Sequence, residues 1–161
     1  MIDIMHGLHL TADLHQCAAA PALLADREAL RALTLHAVAQ AGLSPVGELF
    51  HAFARQGTDV AAAGSARATR SASPGGVTGV VLLAESHVAL HTWPELKAVT
   101  LDVYVCNHAA DNSARAEALL RSLEAAFGPG RCERQRVQRG SLMLPAVPPA
   151  VPRAAPRRKA A

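Results

Sequence analysis

The sequence predicts an α+β fold, a two-layer sandwich in which two helices cover one face of a mostly antiparallel sheet. Three observations support this prediction. Several short segments alternate apolar with polar residues or are rich in valine and leucine, as strands are. Two longer segments repeat apolar residues every three or four positions, as helices do. The elements follow one another in the order β-α-β-β-β-β-α-β along the 161-residue chain, and packing them around one core gives two layers.

The first half of the chain supplies two strands and the longer helix. Residues 7–14 alternate apolar and polar side chains and predict the first strand. A helix is expected from Pro21 to about Ala41, and residues 45–53 predict the second strand. Residues 54–75 are small, polar and without a usable period, so they are expected to form a mobile inserted loop.

The middle of the chain predicts three consecutive strands. Residues 77–84 form an apolar run rich in β-branched residues, which is typical of a central strand. Residues 87–93 and 98–105 predict the next two strands. Pro94 separates them because proline lacks the N–H group that a strand needs.

The last part of the chain predicts a helix, a strand and a tail. Asn112 or Ser113 can cap a helix that runs to about Phe127. Residues 132–138 alternate again and predict the last strand. Residues 141–161 are rich in proline and arginine and are expected to form a disordered tail.

Composition and charge exclude several classes of function. Residues 1–140, which precede the predicted tail, are enough for one domain with a real core. The net charge is +3, but four basic residues and no acid lie in the tail, so the domain lacks a basic stripe for nucleic acid. No apolar stretch reaches the roughly 18 residues that span a membrane. Cys17, Cys106 and Cys132 are too widely spaced for a zinc or disulfide framework, and without a signal peptide a reducing cytoplasm is expected.

A group of reactive side chains follows the central strand. Ser86, His87 and His91 lie close together in sequence. Cys106 stands at the end of the predicted strand 98–105, the second strand after the central one. Taken alone, Glu-Ser-His is most often a polar turn, and the G-x-S-x-G turn of hydrolases is missing. A zinc site is disfavoured because His87 and His91 would lie about 13 Å apart in a strand, and HVALH lacks the glutamate of H-E-x-x-H.

The same segment resembles the prokaryotic S-adenosylmethionine decarboxylase proenzyme family. The family hallmark has the form ESH-x-x-x-HTWPE, which Glu85–His87 and His91–Glu95 match. The resemblance covers nearly all of residues 7–140. Its further matches are the opening strand with Gly7–Leu10 and Cys17, the FHxF-type segment Phe50–Phe53, Asp102 and Cys106 on one strand, and Arg139–Gly140 at the close.

The resemblance implies a self-cleaving proenzyme with a covalent pyruvoyl cofactor. Ser86 would attack the carbonyl of Glu85, and cleavage there would give chains of residues 1–85 and 86–161, with Ser86 converted into the pyruvoyl group. His91 matches the histidine that assists this processing, and it would act as the base that removes the Ser86 α-proton. Thr78 stands where the family often has a serine involved in processing.

The resemblance also implies how the mature enzyme decarboxylates its substrate. The pyruvoyl ketone would form a Schiff base with the substrate amine and accept electrons as carbon dioxide leaves. Cys106 matches the family's proton donor, against the alternative of a small core residue.

Four residues are candidates for the substrate pocket. Phe53 and Trp93 offer aromatic faces for adenine and the sulfonium charge, and the Glu95 carboxylate suits a cation. Each is also a plausible core or rim residue. His87 belongs to the hallmark, and hydrogen bonding at the strand end is an equally good interpretation of it.

The departures from the family pattern concern the pocket more than the cleavage machinery. Loop 54–75 is much longer than the usual connection, and 94–97 loses the aromatic residues of a PEYGY-type continuation. The match to the family hallmark makes S-adenosylmethionine decarboxylase the leading hypothesis. The enzyme would act in spermidine synthesis as a homodimer of cleaved protomers. The alternatives are a decarboxylase of the same fold for ornithine or arginine, and an unprocessed regulatory homologue.

Overall fold

The computed structural model describes residues 4–54 and 74–143, and these residues form six strands and three helices. The strands are β1 (Ile4–His15), β2 (Pro45–Ala54), β3 (Pro74–Leu83), β4 (Ser86–Trp93), β5 (Ala98–Cys106) and β6 (Arg131–Met143). The helices are α1 (Pro21–Ala25), α2 (Arg27–Gln40) and α3 (Ser113–Phe127). None of the helices in this part of the chain is long and apolar enough to cross a membrane.

All six strands belong to one sheet in the order β2-β3-β4-β5-β1-β6. Each neighbouring pair is antiparallel. The predicted α+β sandwich is therefore confirmed. The register sets His87 of β4 opposite Tyr104 of β5, and Tyr104 opposite His9 of β1, so three distant parts of the sequence meet on one face.

The helices cover only one face of the sheet, because apolar side chains alternate along the strands. In β5 every second residue from Val99 to Val105 is at most 2% exposed. These side chains pack with β1 and α3, where Leu119, Leu123 and Phe127 are fully buried. The opposite face of the sheet, here called the open face, carries the other set of side chains and has no helix of the described residues upon it.

The predicted helix over Pro21–Ala41 is wrong in one respect, since it is two helices that break at Asp26. The Asp26 backbone is extended, with φ −92° and ψ 109°, and its carboxylate accepts hydrogen bonds from the N–H groups of Glu28 and Ala29. An aspartate that caps the following helix cannot also continue the preceding one. The described part of the chain therefore has three helices instead of two.

Strand pairing lengthens several predicted elements. Pro74, inside the predicted loop 54–75, already belongs to β3 because it pairs with Ala54 of β2. β6 runs past the predicted end at residue 138, since Met143 pairs with Ile4, and it takes the first residues of the predicted tail. The remainder of that loop and tail, residues 55–73 and 144–161, lies outside the described residues.

Candidate active site

Ser86 and Cys106 meet where two neighbouring strands end. Ser86 is the first residue of β4, directly after the tight turn at Ala84 and Glu85, and Cys106 is the last residue of β5. The Ser86 Oγ accepts a hydrogen bond of 3.1 Å from the backbone N–H of Cys106. The structure thus brings together the predicted nucleophile, the predicted cleavage site and the predicted proton donor, and Cys106 is buried with 7% exposure.

The loop after Cys106 is ordered by asparagine side chains. Asn112 donates from Nδ2 to the Cys106 carbonyl over 3.0 Å, and its own N–H donates to Asn107 Oδ1 over 2.9 Å. The Asn107 N–H in turn bonds the carbonyl of His6 over 2.9 Å. Asn112 stands at the start of α3, as predicted, but its side chain makes no capping hydrogen bond and fixes Cys106 instead. Nothing in the sequence pattern indicated that role.

Two cavities flank the turn before Ser86. One, of about 420 Å³, is lined by Glu85, Ser86, Cys106, Asn112 and Arg115, among others. The other, of about 490 Å³, includes Glu85, Ser86, His87, Tyr104 and Arg139 and is here called the open-face pocket. Because both cavities touch Glu85 and Ser86, the predicted cleavage site is accessible from either side of the turn.

A second group of predicted site residues lies at the other end of β4. Thr78 of β3 is paired with His91, and the Thr78 Oγ1 lies 3.0 Å from His91 Nδ1. The rings of His91 and Trp93 are 6.0 Å apart. Phe53 packs at this end too, since its ring would crowd a Cβ on Gly76 at 2.9 Å. Glu95 is exposed in the turn between β4 and β5.

One chain does not bring these two groups together. Ser86 and His91 are five positions apart in a regular strand, and a strand rises about 3.3 Å per residue, so the separation is about 16 Å. An odd number of positions also directs the two side chains to opposite faces of the sheet. The Thr78–His91 pair of one chain therefore cannot reach the Glu85–Ser86 bond of the same chain.

The structure adds a polar cluster on the open face that the sequence analysis did not predict. Asp102 lies between two histidines, with Oδ2 at 2.7 Å from His9 Nε2 and Oδ1 at 3.3 Å from His87 Nε2. Arg139 extends the cluster, with a guanidinium nitrogen 3.3 Å from His9 Nδ1. Tyr104 stands between the histidines, with ring centroids 6.1 Å from His9 and 5.6 Å from His87. The resemblance had matched Asp102 to its strand without a role.

Comparisons with known proteins agree with this fold. A family model described as S-adenosylmethionine decarboxylase matches residues 8–140. An S-adenosylmethionine decarboxylase proenzyme of Acidithiobacillus ferrooxidans is 30% identical over 142 residues, which make up 88% of this chain and 88% of that protein. The corresponding proenzyme of Aquifex aeolicus is 33% identical over 135 residues, or 83% of this chain and 81% of that protein.

A solved structure gives the same result. The crystal structure of the adenosylmethionine decarboxylase from Aquifex aeolicus superposes with a TM-score of 0.67 at 28% identity, and covers 89% of this chain and 98% of that chain. The fold and the site define a pyruvoyl-dependent decarboxylase, an enzyme whose cofactor forms from an internal serine when a proenzyme is cleaved. The chain belongs to the S-adenosylmethionine decarboxylase family.

Proposed function

We propose that this chain cleaves itself between Glu85 and Ser86, and that the mature enzyme decarboxylates S-adenosylmethionine for spermidine synthesis. The hydrogen bond from the Cys106 N–H to the Ser86 Oγ carries the proposal, because it holds the hydroxyl of the predicted nucleophile beside the predicted proton donor. The turn at Ala84 and Glu85 exposes the peptide bond that must break. The products are residues 1–85 and 86–161.

The cleavage follows from the chemistry of a serine after an exposed carbonyl. The Ser86 hydroxyl adds to the Glu85 carbonyl, and the amide nitrogen leaves with a proton, so that an ester replaces the peptide bond. Loss of the Ser86 α-proton then expels the Glu85 carboxylate by β-elimination. The resulting dehydroalanine takes up water and releases ammonia.

The residues around Ser86 fit a pyruvoyl group at that position. Such a group supplies an electron sink for the electrons released with carbon dioxide. The cavities on both sides of the turn leave space for a substrate to reach position 86. Cys106 then returns a proton to the substrate carbon, and thiols ordinarily carry their proton near neutral pH. The Cys106 N–H bonds Ser86, and the Asn112 side chain holds the Cys106 carbonyl in place.

The separation of Ser86 and His91 supports a homodimer of cleaved protomers. The open face carries two exposed apolar side chains on neighbouring strands, Leu49 of β2 at 69% and Leu82 of β3 at 50% exposure. Packing them against a second copy would remove this apolar surface from water. If two copies pack by their open faces, a twofold axis between the two sheets, at right angles to β4 and level with its middle, would set the Thr78–His91 pair of each copy near the Glu85–Ser86 bond of the other. Phe53, Trp93 and Glu95 would approach the pocket in the same way.

Co-expression of two variants tests whether His91 acts between copies. The Ser86→Ala chain keeps His91 but cannot be cut, and the His91→Ala chain keeps Ser86 but lacks the histidine. We expect each variant to stay uncut when expressed alone, and the His91→Ala chain to be cut in the mixture, as read from intact masses. If the mixture stays uncut, His91 does not act in this way. His36→Ala, which removes an exposed histidine of helix α2 on the other side of the sheet, is the control and should be cut when expressed alone.

The substrate is tested separately, because residues 94–97 depart from the family pattern. Purified, cleaved enzyme should release carbon dioxide from S-adenosylmethionine and not from ornithine or arginine. Release from ornithine or arginine alone would establish the alternative decarboxylase. A chain that never cleaves would support the regulatory homologue.

A further inference from the structure

Arginine fixes the protonation pattern of the cluster around Asp102. Arg139 donates hydrogen bonds only, so the nitrogen of His9 that faces it, Nδ1, must accept. The proton of His9 therefore sits on Nε2, which donates to Asp102 Oδ2 over 2.7 Å. A doubly protonated His9 would direct an N–H group against the guanidinium. The carboxylate thus has one oxygen bound by a neutral imidazole.

The second oxygen of Asp102 determines the state of His87. Asp102 Oδ1 is buried and has no hydrogen bond with good geometry to the described residues, and His87 Nε2 is 3.3 Å away. A buried carboxylate oxygen without a donor is costly, so Nε2 of His87 must carry a proton and turn towards it. The other nitrogen, Nδ1, makes no hydrogen bond to the described part of the chain and remains free to accept. His87 lines the open-face pocket together with Ser86.

We propose that Asp102 is a positioning residue, and that it holds His87 with its proton on Nε2 so that Nδ1 accepts the proton lost by the substrate's amino group. This inference rests on the proposed function, because the substrate amine must be neutral before it can attack a carbonyl at position 86. His87 Nδ1 takes one proton from the ammonium group and becomes a cation. The Asp102 carboxylate stabilises that cation, and His9 and Arg139 hold the carboxylate in place.

The groups that face His87 agree with this assignment. From β5 it meets Asp102 and Tyr104, and the other titratable or charged groups nearby are His9 of β1, Arg139 of β6 and Glu85 of the preceding turn. The neighbouring strand β3 presents Leu82, which does not titrate. Asp102 is therefore the carboxylate in contact with His87.

A spectroscopic measurement tests the positioning without any activity. The Ser86→Ala proenzyme stays uncut and can be studied as one species, with long-range proton–nitrogen correlation NMR reporting which imidazole nitrogen carries the proton. The His87 signals are assigned with His87→Gln. We expect the proton of His87 on Nε2. In Asp102→Asn, the amide oxygen still accepts from His9, so the amide NH₂ faces His87 and moves its proton to Nδ1. An unchanged His87 pattern in Asp102→Asn would overturn the proposal.

Kinetics test the proton transfer. Asp102→Asn in the cleaved enzyme should lower kcat/KM at least about tenfold, as the loss of a charge-assisted hydrogen bond does. His87→Gln keeps a donor towards Asp102 but no basic nitrogen, so it should fold and lower kcat/KM about 100-fold. Wild-type rates in either variant would overturn the proposal. Asp13→Asn removes another carboxylate of the sheet and should change neither readout.

The two proposals fail in different ways. If the wild-type chain neither cleaves nor decarboxylates, the proposed function fails while the NMR result on Asp102 still stands. If the wild-type chain is active and Asp102→Asn is equally active, only the inference about Asp102 and His87 fails.

Discussion

The Thr92 hydroxyl joins three elements beneath the site, and its removal should destabilise the fold strongly. Thr92 is fully buried, and its Oγ1 donates to the Leu24 carbonyl over 2.6 Å and accepts from the Val77 N–H over 2.8 Å. Leu24 lies in the last turn of helix α1, where carbonyls lack a partner within the helix. Thr92→Val keeps the shape but leaves one buried donor and one buried acceptor unpaired. Each such group costs about 1–3 kcal/mol, so for the two together we expect a loss of about 2–6 kcal/mol.

Thr34→Val is the matched control for this prediction. Thr34 is equally buried, but its hydroxyl bonds the Leu30 carbonyl one turn back, which the helix already satisfies. Its loss should cost less than about 1 kcal/mol. Urea unfolding followed by circular dichroism measures both, and Thr92→Val should also lower Tm by about 10 °C, given about 2–4 °C per kcal/mol for chains of this size. Equal losses in the two variants would refute the reasoning from unpaired groups.

Three further predictions concern packing, titration and catalysis. Gly76→Ala should cost about 3 kcal/mol or more in urea unfolding, because the new Cβ would lie 1.8 Å from the Thr92 carbonyl oxygen, and an unchanged midpoint would contradict this. The Ser113 side chain lowers the pKa of Asp111, followed by the Ser113 backbone N–H, so this carboxylate stabilises the fold above the usual carboxyl pKa and the contribution is lost as pH falls through the lowered value. Ser113→Ala should therefore raise the pKa of Asp111 in an NMR titration, and an unmoved titration would count against the assignment. Cys106→Ser keeps the backbone N–H that holds the nucleophile, so cleavage should proceed while the decarboxylation rate falls about 100-fold, and a chain that stays uncut would contradict this order of roles.

The sequence predicted the strands well because their side chains alternate so regularly. Every second residue of β5 is apolar, and such a pattern has one satisfactory arrangement against a helical layer. The break between α1 and α2 was not predicted because the apolar spacing continues across it. Asp26 interrupts the helix through its own side chain, a local competition that periodicity does not register.

The candidate site was predictable only where the chain order determines the contacts. Ser86 and Cys106 belong to adjacent strands, so their contact follows from the one hairpin that joins β4 to β5. His91 is near Ser86 in sequence, but five positions of an extended strand separate the two residues by about 16 Å. The Asp102 cluster depends on β1 lying beside β5, which places His9 next to a residue 93 positions away. No local pattern in the sequence contains that information.

The intact mass of the denatured, purified protein tests the central claim most directly, with Ser86→Ala as the control that cannot be cut. We expect two fragments that join at Glu85 and Ser86, the second lighter than a chain starting with serine by the mass of one ammonia, and a single uncut mass for the control. A single uncut mass for the wild-type chain after long incubation would contradict the account, and so would fragments that join at any other bond.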